Sequence, residues 1–339
     1  MSARELTMLD AVREGIDEAM GADERVIVLG EDIAGGAGLG DPYEGVMGGT
    51  FGATKGLLEK YGPRRVRDTP ISEAGFVGTA VGAAAAGLRP IVDLMWSDFA
   101  LLAFDQIVNQ ASKMRYMFGG QASVPLVLRM AMGAGLSAGG QHSDTLYSLF
   151  THIPGLKVVV PSNGHDAKGL LLEAVQDDDP VVIFEHMRLY PRKGPVPEGP
   201  YRVPFGAARA LRLGEDVTVV AIAAMVERAE EAAVLLADEG IELEVIDPRT
   251  LSPLDGGTIL DSVRRTGRLV VVDESPPRCS VAADIAGLVA QHAPRSLKSG
   301  VRLVTSPHSP VPFSPPLEAA YVPSVEAVVE AARQVLKPA

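Results

Sequence analysis

The sequence predicts an α/β protein built from two doubly wound domains, and three observations carry that prediction. Short apolar runs alternate with helical patterns from one end of the chain to the other. The runs are rich in Val, Ile and Leu without the strict alternation of a half-exposed strand, so they imply burial on both faces and hence parallel sheets flanked by helices. At 339 residues, two cores of ordinary size fit better than one.

Taken in order, a helix at Leu6–Met20 leads to a strand at Val26–Gly30 (VIVLG), then to helices at Thr54–Tyr61 and Glu73–Leu88. A strand at Pro90–Met95 (PIVDLM), a helix at Asp98–Met117 and strands at Pro125–Met130 (PLVLRM) and Leu156–Val160 (LKVVV) follow. A helix at Ala167–Gln176 and a strand at Val181–Glu185 (VVIFE) complete the first half. In the second half, strands at Val217–Ile222, Ile241–Ile246, Leu269–Val272 and Val301–Val304 alternate with helices at Val226–Glu239, Asp255–Arg265, Val281–Gln291 and Val325–Val335. Between the halves, Tyr190–Pro200 carries four prolines among polar residues and has no apolar period. The expected division is therefore 1–189 for the first domain, 190–204 for a proline-rich linker and 205–339 for the second.

The net charge of −12, with no run of Lys and Arg, argues against a nucleic-acid surface. The N-terminal MSARELTMLDAVREG has interspersed acids and no apolar stretch of the secretory kind. The uncharged run Ala74–Leu88 is shorter than the roughly 18–20 residues that cross a bilayer. A cytoplasmic, unanchored protein with a small-molecule substrate is expected. Cys279 is the single cysteine, which excludes an internal disulfide and a cysteine-rich metal site.

Glu73 is the one acid leading into that Gly/Ala run, after the turn-forming Thr69-Pro70. Ser72-Glu73 reads as a helix start, and the small residues that follow suit a backbone lying close to another backbone or to a planar ligand. Two readings of Glu73 stand: an acid favoured in the first helical turn, or a carboxyl in apolar surroundings able to share a proton with a ligand nitrogen.

Two loops are richer in glycine than plain connections need. Gly30–Gly40 (GEDIAGGAGLG) follows a strand and superficially resembles a dinucleotide fingerprint, but Glu31-Asp32 succeed the first glycine and no helix opens after the run. An NAD-binding dehydrogenase built on it is the weaker alternative. Gly133–Asp144 (GAGLSAGGQHSD) also follows a strand, at the end where parallel α/β sheets bind ligands, and it carries His142.

Thr69–Gly75, Asp98-Phe99, Asp105-Gln106-Ile107, Arg115–Gly120, Gln141-His142-Ser143 and Pro154–Val159 occur together in order, followed by Asp166–Leu170, Asp247–Asp255 and Thr266–Val272. Over nearly the whole chain this resembles the β subunit of the thiamine-diphosphate-dependent E1 component of 2-oxoacid dehydrogenase complexes. Gly30–Gly38, Arg115–Gly120, Thr151–Val160, Arg278–Gln291 and Pro307–Ser314 look closest to the acetoin dehydrogenase branch. The chain departs from that branch at Asp144, where glutamine is usual after His-Ser, and at Ser137, where arginine is usual. The resemblance thus leaves the substrate open between acetoin, pyruvate and branched 2-oxoacids.

The resemblance implies a transketolase-like pyrimidine-binding domain followed by a transketolase-C-like domain. It assigns Glu73 to the glutamate that hydrogen-bonds N1′ of the cofactor's aminopyrimidine, and Phe99 to the aromatic packed on that ring, although Phe99 also reads as core at helical spacing with Leu102 and Ala103. Ile71 and Met95 fall where family members contact the cofactor. His142 matches the histidine that faces the substrate and the incoming lipoyl group. Leu126, Ala174, Val175, Asp177 and Asp179 fall where relatives bind a structural monovalent cation such as K⁺, largely through carbonyls; Asp177–Asp179 also reads as a polar loop ending a helix.

Enzymes of this cofactor class hold the pyrophosphate through Mg²⁺ with Gly-Asp-Gly and a later asparagine. This chain has no Gly-Asp-Gly, and its only asparagines are Asn109 and Asn163. The resemblance therefore implies an α subunit that supplies the Mg²⁺ half of the site in a heterotetramer of two α and two β chains, with a lipoyl-bearing E2 acyltransferase as acceptor. The alternative from the structural class is an assembly subunit of such a complex without catalytic residues.

Overall fold

Thr7 opens the first helix because its hydroxyl accepts the Asp10 N–H at 3.0 Å, satisfying a donor that a helix start leaves free. The computed structural model describes residues 4–34 and 48–337, so residues 35–40 of the Gly30–Gly40 loop lie outside the described residues. The chain divides into two units. One gathers Met1–Met132, Leu149–Glu185 and Leu189–Phe205; the other gathers Gly133–Ser148, His186–Arg188 and Gly206–Ala339.

From the start to residue 205 the elements are β1 (Glu5–Thr7), α1 (Met8–Ala22), β2 (Val26–Gly30), α2 (Leu57–Tyr61), β3 (Val66–Asp68), α3 (Glu73–Ala85), β4 (Arg89–Trp96), α4 (Ser112–Met117), β5 (Val127–Met132), α5 (Tyr147–Thr151), β6 (Lys157–Val159), α6 (Gly164–Gln176), β7 (Val181–His186) and β8 (Lys193–Pro195). The first unit's sheet runs β6-β7-β5-β4-β2-β3. The β2–β3, β2–β4, β4–β5 and β6–β7 pairs are parallel, with Val28 opposite Ile91 and Ile91 opposite Val127. Strands β2 and β5 are buried along their whole length, as unalternated apolar runs require. The chain leaves β2 for β3 on one side and returns to β4 on the other, so the topological switch point lies between β2 and β4.

Helix α1 packs on α6 through Gly15, where a Cβ would come within 3.1 Å of Leu171. Lys168 is fully buried beneath them; its ammonium reaches Glu14 at 2.5 Å, Glu18 at 2.9 Å and the Gly199 carbonyl at 2.9 Å. Within 190–204, Lys193–Pro195 forms β8, antiparallel to β1, with Leu6 opposite Gly194.

The remaining elements are β9 (Arg209–Arg212), β10 (Val217–Ala221), α7 (Met225–Ala237), β11 (Leu243–Asp247), β12 (Thr250–Ser252), α8 (Gly256–Thr266), β13 (Leu269–Asp273), α9 (Val281–His292), β14 (Arg302–Thr305), α10 (Pro315–Tyr321) and α11 (Val325–Leu336). The second unit's sheet runs β14-β13-β10-β11-β9, parallel except for β9, which lies antiparallel on the edge against β11. Asp255, Ser280 and Ser324 cap α8, α9 and α11 by accepting from Thr258, Ala283 and Ala327 backbone N–H groups. Here the chain leaves β10 for β11 and returns to β13 on the other side, which puts a second switch point between β10 and β13.

One predicted helix is not continuous. Asp98–Met117 resolves into a 3₁₀ segment at Ser97–Ala103, a wide turn at Gln106–Ala111 and then α4. The tight start follows an irregular register between Asp93 and Trp96 and a left-handed Met95 (φ 56°). The widening falls where α3 presses against the segment, since a Cβ on Gly78 would meet Gln106 at 3.0 Å. Strands β1, β3, β8, β9 and β12 span three or four residues each, too few to show a period in sequence.

Candidate active site

The carboxyl ends of β2 and β4 approach so closely that a Cβ on Gly30 would stand 2.5 Å from the Asp93 carbonyl. Glycine is required there because any side chain would push the strands apart. The next residue, Glu31, is buried, and its Oε1 has no hydrogen-bond partner among the described residues. Burial pushes the Glu31 carboxyl up to about 7, helped by the charges of Glu73 and Asp32.

Glu73 is itself buried, as the first residue of α3. The structure thus brings two acids to the mouth of the Gly/Ala helix, at the switch point of the sheet. The Glu31 oxygen is complementary to a ligand bearing donor nitrogens, because a buried carboxyl oxygen with no donor among the described residues is costly unless a ligand supplies one. That is an observation on which an aminopyrimidine fits.

Met95 and Phe99 come from the end of β4 and the turn that follows. The left-handed Met95 is held by its N–H donating to Asp93 Oδ1 at 3.0 Å, and its sulfur accepts from the Thr50 hydroxyl at 3.3 Å. Asp93 is in turn clamped by Arg129, which also binds Glu185. Phe99 stands edge-on to Trp96 at 5.7 Å between ring centroids, half-buried, so it is not enclosed core. Ile71 is 85% exposed, in the turn before α3. Met95, Phe99, Ile71 and Glu73 all belong to the first unit.

His142 lies in the second unit, half-buried on the Gly133–Ser148 segment, with its N–H donating to the Gly139 carbonyl at 3.2 Å. Two residues on, burial raises the Asp144 carboxyl. The segment mounts on the second switch point. At its start the Ala134 N–H donates to Glu274 Oε1 at 2.6 Å, and Glu274 Oε2 meets His186 Nε2 at 2.9 Å. At its end the Tyr147 hydroxyl donates to the fully buried Asp273, whose carboxyl burial pushes up to about 6. The turn between is bound by Glu318: Gly135 N–H donates at 2.7 Å and Ser137 N–H at 2.9 Å.

The residues expected around a cation do lie together, but most of their carbonyls already have donors. Leu126 O accepts from Val181 N–H at 2.9 Å and Ala174 O from Asp177 N–H at 3.2 Å. The Arg89 guanidinium donates to the Val175 and Asp177 carbonyls at 2.9 and 3.1 Å. Asp179 takes Arg115, and Lys157 reaches Asp177 at 2.8 Å. A further cation there would share carbonyls with Arg89 and stand beside Arg89, Arg115 and Lys157, each already paired with one of Asp178, Asp179 and Asp177. Among the described residues no group of three or more His, Cys, Asp or Glu side chains could hold a metal, and no helix is long and apolar enough to cross a membrane.

Sequence reasoning did not single out Asp93, Glu185, Glu274 or Glu318, and read Glu31 only as a mismatch to a dinucleotide loop. The available signal was an acid set inside or just after an apolar strand run, as in PIVDLM and LVVVDE.

The family described as "Transketolase, pyrimidine binding domain" matches residues 4–193, and "Transketolase, C-terminal domain" matches residues 206–328. The chain is 55% identical over 335 residues to the "Acetoin:2,6-dichlorophenolindophenol oxidoreductase subunit beta" of Cupriavidus necator, covering 99% of this chain and 98% of that one. It is 51% identical to the protein of the same description in Bacillus subtilis, over 98% of each chain. Identity to the "Pyruvate dehydrogenase E1 component subunit beta" of Rickettsia felis is 44%, again over 98% of each. Among solved structures, one described as "Split gene transketolase, inactive beta4 tetramer" shares the fold with a TM-score of 0.76 at 23% identity, covering 98% of both chains. On these matches, which run from end to end at high identity, the chain belongs to the transketolase-like family of E1 β subunits that includes the acetoin and pyruvate dehydrogenase proteins.

Proposed function

We propose that this chain is the β subunit of a thiamine-diphosphate-dependent E1 enzyme that cleaves acetoin, or in the runner-up reading decarboxylates a pyruvate-type 2-oxoacid, and passes the acyl group to a lipoyl-bearing E2. The observation that carries the reading is the buried Glu73 at the mouth of α3, beside the Glu31 carboxyl oxygen that has no hydrogen-bond partner among the described residues. Bound thiamine diphosphate supplies the electron sink for breaking a carbon–carbon bond beside a carbonyl. Glu73 holds a proton against the ring nitrogen N1′. Phe99 packs on the ring, Met95 and Ile71 contact the cofactor, and His142 delivers a proton to the substrate or lipoyl side.

Residues 1–189 form the pyrimidine-binding domain and 205–339 the C-terminal domain, joined by 190–204. An α subunit carrying Gly-Asp-Gly holds Mg²⁺ and the pyrophosphate in a heterotetramer of two α and two β chains. Acetoin stands first because the 55% and 51% identical relatives carry that substrate in their descriptions, against 44% for the pyruvate protein. A K⁺ ion at Leu126, Ala174, Val175, Asp177 and Asp179 would have to share carbonyls with Arg89.

The test is reconstitution. The isolated chain with thiamine diphosphate and Mg²⁺ should show no turnover, and adding a Gly-Asp-Gly partner should give reduction of 2,6-dichlorophenolindophenol, read against acetoin, pyruvate and branched 2-oxoacids. Turnover by the isolated chain overturns the split-site reading.

A further inference from the structure

We propose that Glu318 is a positioning residue for His142: its carboxylate is the built-in anion of a backbone nest that fixes the conformation of the loop on which His142 sits. The inference rests on the functional reading above for what His142 does, and on the second unit alone for how the loop is held.

The geometry begins with two left-handed residues. Gly135 has φ 117° and Ser137 has φ 54°. Glycine takes that conformation freely, whereas a serine resists it and keeps it only where surroundings enforce it. The effect is to turn the N–H groups of Gly135 and Ser137 toward one point, a concavity of the kind that binds anions in many proteins. Here the anion is internal. Glu318 Oε1 accepts from Gly135 N–H at 2.7 Å and Ser137 N–H at 3.0 Å; Oε2 accepts from Ser137 N–H at 2.9 Å and Ser137 Oγ at 3.2 Å.

Glu318 is 4% exposed, and no lysine, arginine or histidine pairs with it among the described residues. Its hydrogen-bond donors among the described residues are the loop's own Gly135 and Ser137, so the buried carboxylate and the left-handed turn support each other. Charge-assisted bonds to backbone N–H groups are the strong class, which makes the pair interdependent.

The same short segment supports the rest of the loop. A Cβ on Gly139 (φ 77°) would lie 3.2 Å from the Phe313 ring, and one on Gly140 would lie 3.5 Å from the Val311 carbonyl. Val311 to Glu318 is therefore the bed on which Gly135 to Gly140 rests, and His142 follows directly with its N–H on the Gly139 carbonyl at 3.2 Å. Released from Glu318, Ser137 would relax out of the left-handed region, and everything between it and His142 would move with it. A displacement of about 1 Å at a reacting group costs on the order of 100-fold in rate.

The experiment uses the full chain paired with its Gly-Asp-Gly partner. In Glu318→Gln the shape is kept and the anion lost; in Glu318→Ala both go. The expected result is a fall in kcat of roughly 10-fold and roughly 100-fold respectively, with the thiamine diphosphate Kd unchanged within about two-fold. His142→Ala combined with Glu318→Gln should be no slower than His142→Ala alone, because the two residues act as one. Hydrogen exchange across 133–148 should rise in both variants while that of β10 and β13 stays as in the wild type. Additive rate losses, a weakened cofactor Kd, or unchanged exchange in an active pair would overturn the positioning role and leave the functional reading intact. An inactive wild-type pair whose variants still show faster exchange would overturn the functional reading instead. If the alanine variant fails to fold, the glutamine variant carries the test.

Discussion

Arg129 and Glu185 meet fork to fork on neighbouring strands, Nε to Oε1 at 3.0 Å and Nη2 to Oε2 at 2.6 Å, and both are sealed from solvent. The remaining guanidinium nitrogen holds Asp93, and the Tyr190 hydroxyl donates to Glu185 at 2.9 Å. Burial pushes the Tyr190 hydroxyl well up, with the Glu185 charge in the same direction, so it stays a donor. Asp93 in turn fixes the left-handed Met95, so a charge cluster inside the sheet determines the backbone shape at the carboxyl end of β4.

Removing Arg129 would leave two buried carboxylates unpaired. Arg129→Met should lower the unfolding free energy by about 3–5 kcal/mol, the usual consequence of breaking a buried ion pair from one side. Urea unfolding of the isolated chain checks this. A loss under about 1 kcal/mol would show that the cluster contributes little to the fold.

Glu73→Gln keeps the side chain's volume and removes its ability to share a proton. The reconstituted pair should lose roughly 100- to 10,000-fold in kcat, the range for a missing general acid–base group, with a melting temperature near that of the wild type. An unaltered rate would favour the assembly-subunit alternative.

Glu31 gives the apo chain a pH dependence. Its carboxyl rises from 4.5 to about 7 on folding, so the folded chain binds that proton more tightly than the unfolded one. Stability from this group is therefore full at low pH and declines as pH rises from about 4.5 to about 7. The buried Asp273, raised from 3.8 to about 6, acts in the same direction over its own window. Glu31→Gln should flatten the fall in melting temperature between pH 5 and pH 7, by an amount corresponding to at most about 3 kcal/mol. Calorimetry of the apo chain across that range reads it, and an unchanged slope would show that Glu31 is solvated.

His142 faces the acceptor in the proposed mechanism. His142→Gln should slow transfer to a lipoyl domain by about 100-fold or more, and slow reduction of the artificial dye less. Equal losses with both acceptors would place the residue at substrate cleavage instead.

How much was legible in sequence varies with the origin of each feature. Strand β13 (LVVVD) could be read directly as an unalternated apolar run, because burial on both faces selects Val and Leu along it. Glu73 stood out because a lone acid ahead of Gly and Ala residues is rare chemistry in a packed element. The break within Asp98–Met117 was not legible, since it falls where Gln106 packs closely on Gly78 of α3, a contact between elements distant along the chain.

The sequence by itself determined the two α/β sheets, the acid at the helix mouth, the glycine-rich loop with its histidine, and the absence of a Gly-Asp-Gly segment. All of these are set by local composition and spacing. Only the tertiary structure decided that Glu31 joins Glu73 and that Asp93 answers to Arg129. It also decided that Ala134 and Gly135 are held by Glu274 and Glu318, 140 and 183 residues away along the chain. The physical reason is that a buried carboxylate takes its meaning from the donors around it, and those are assembled by strand order rather than by sequence neighbourhood.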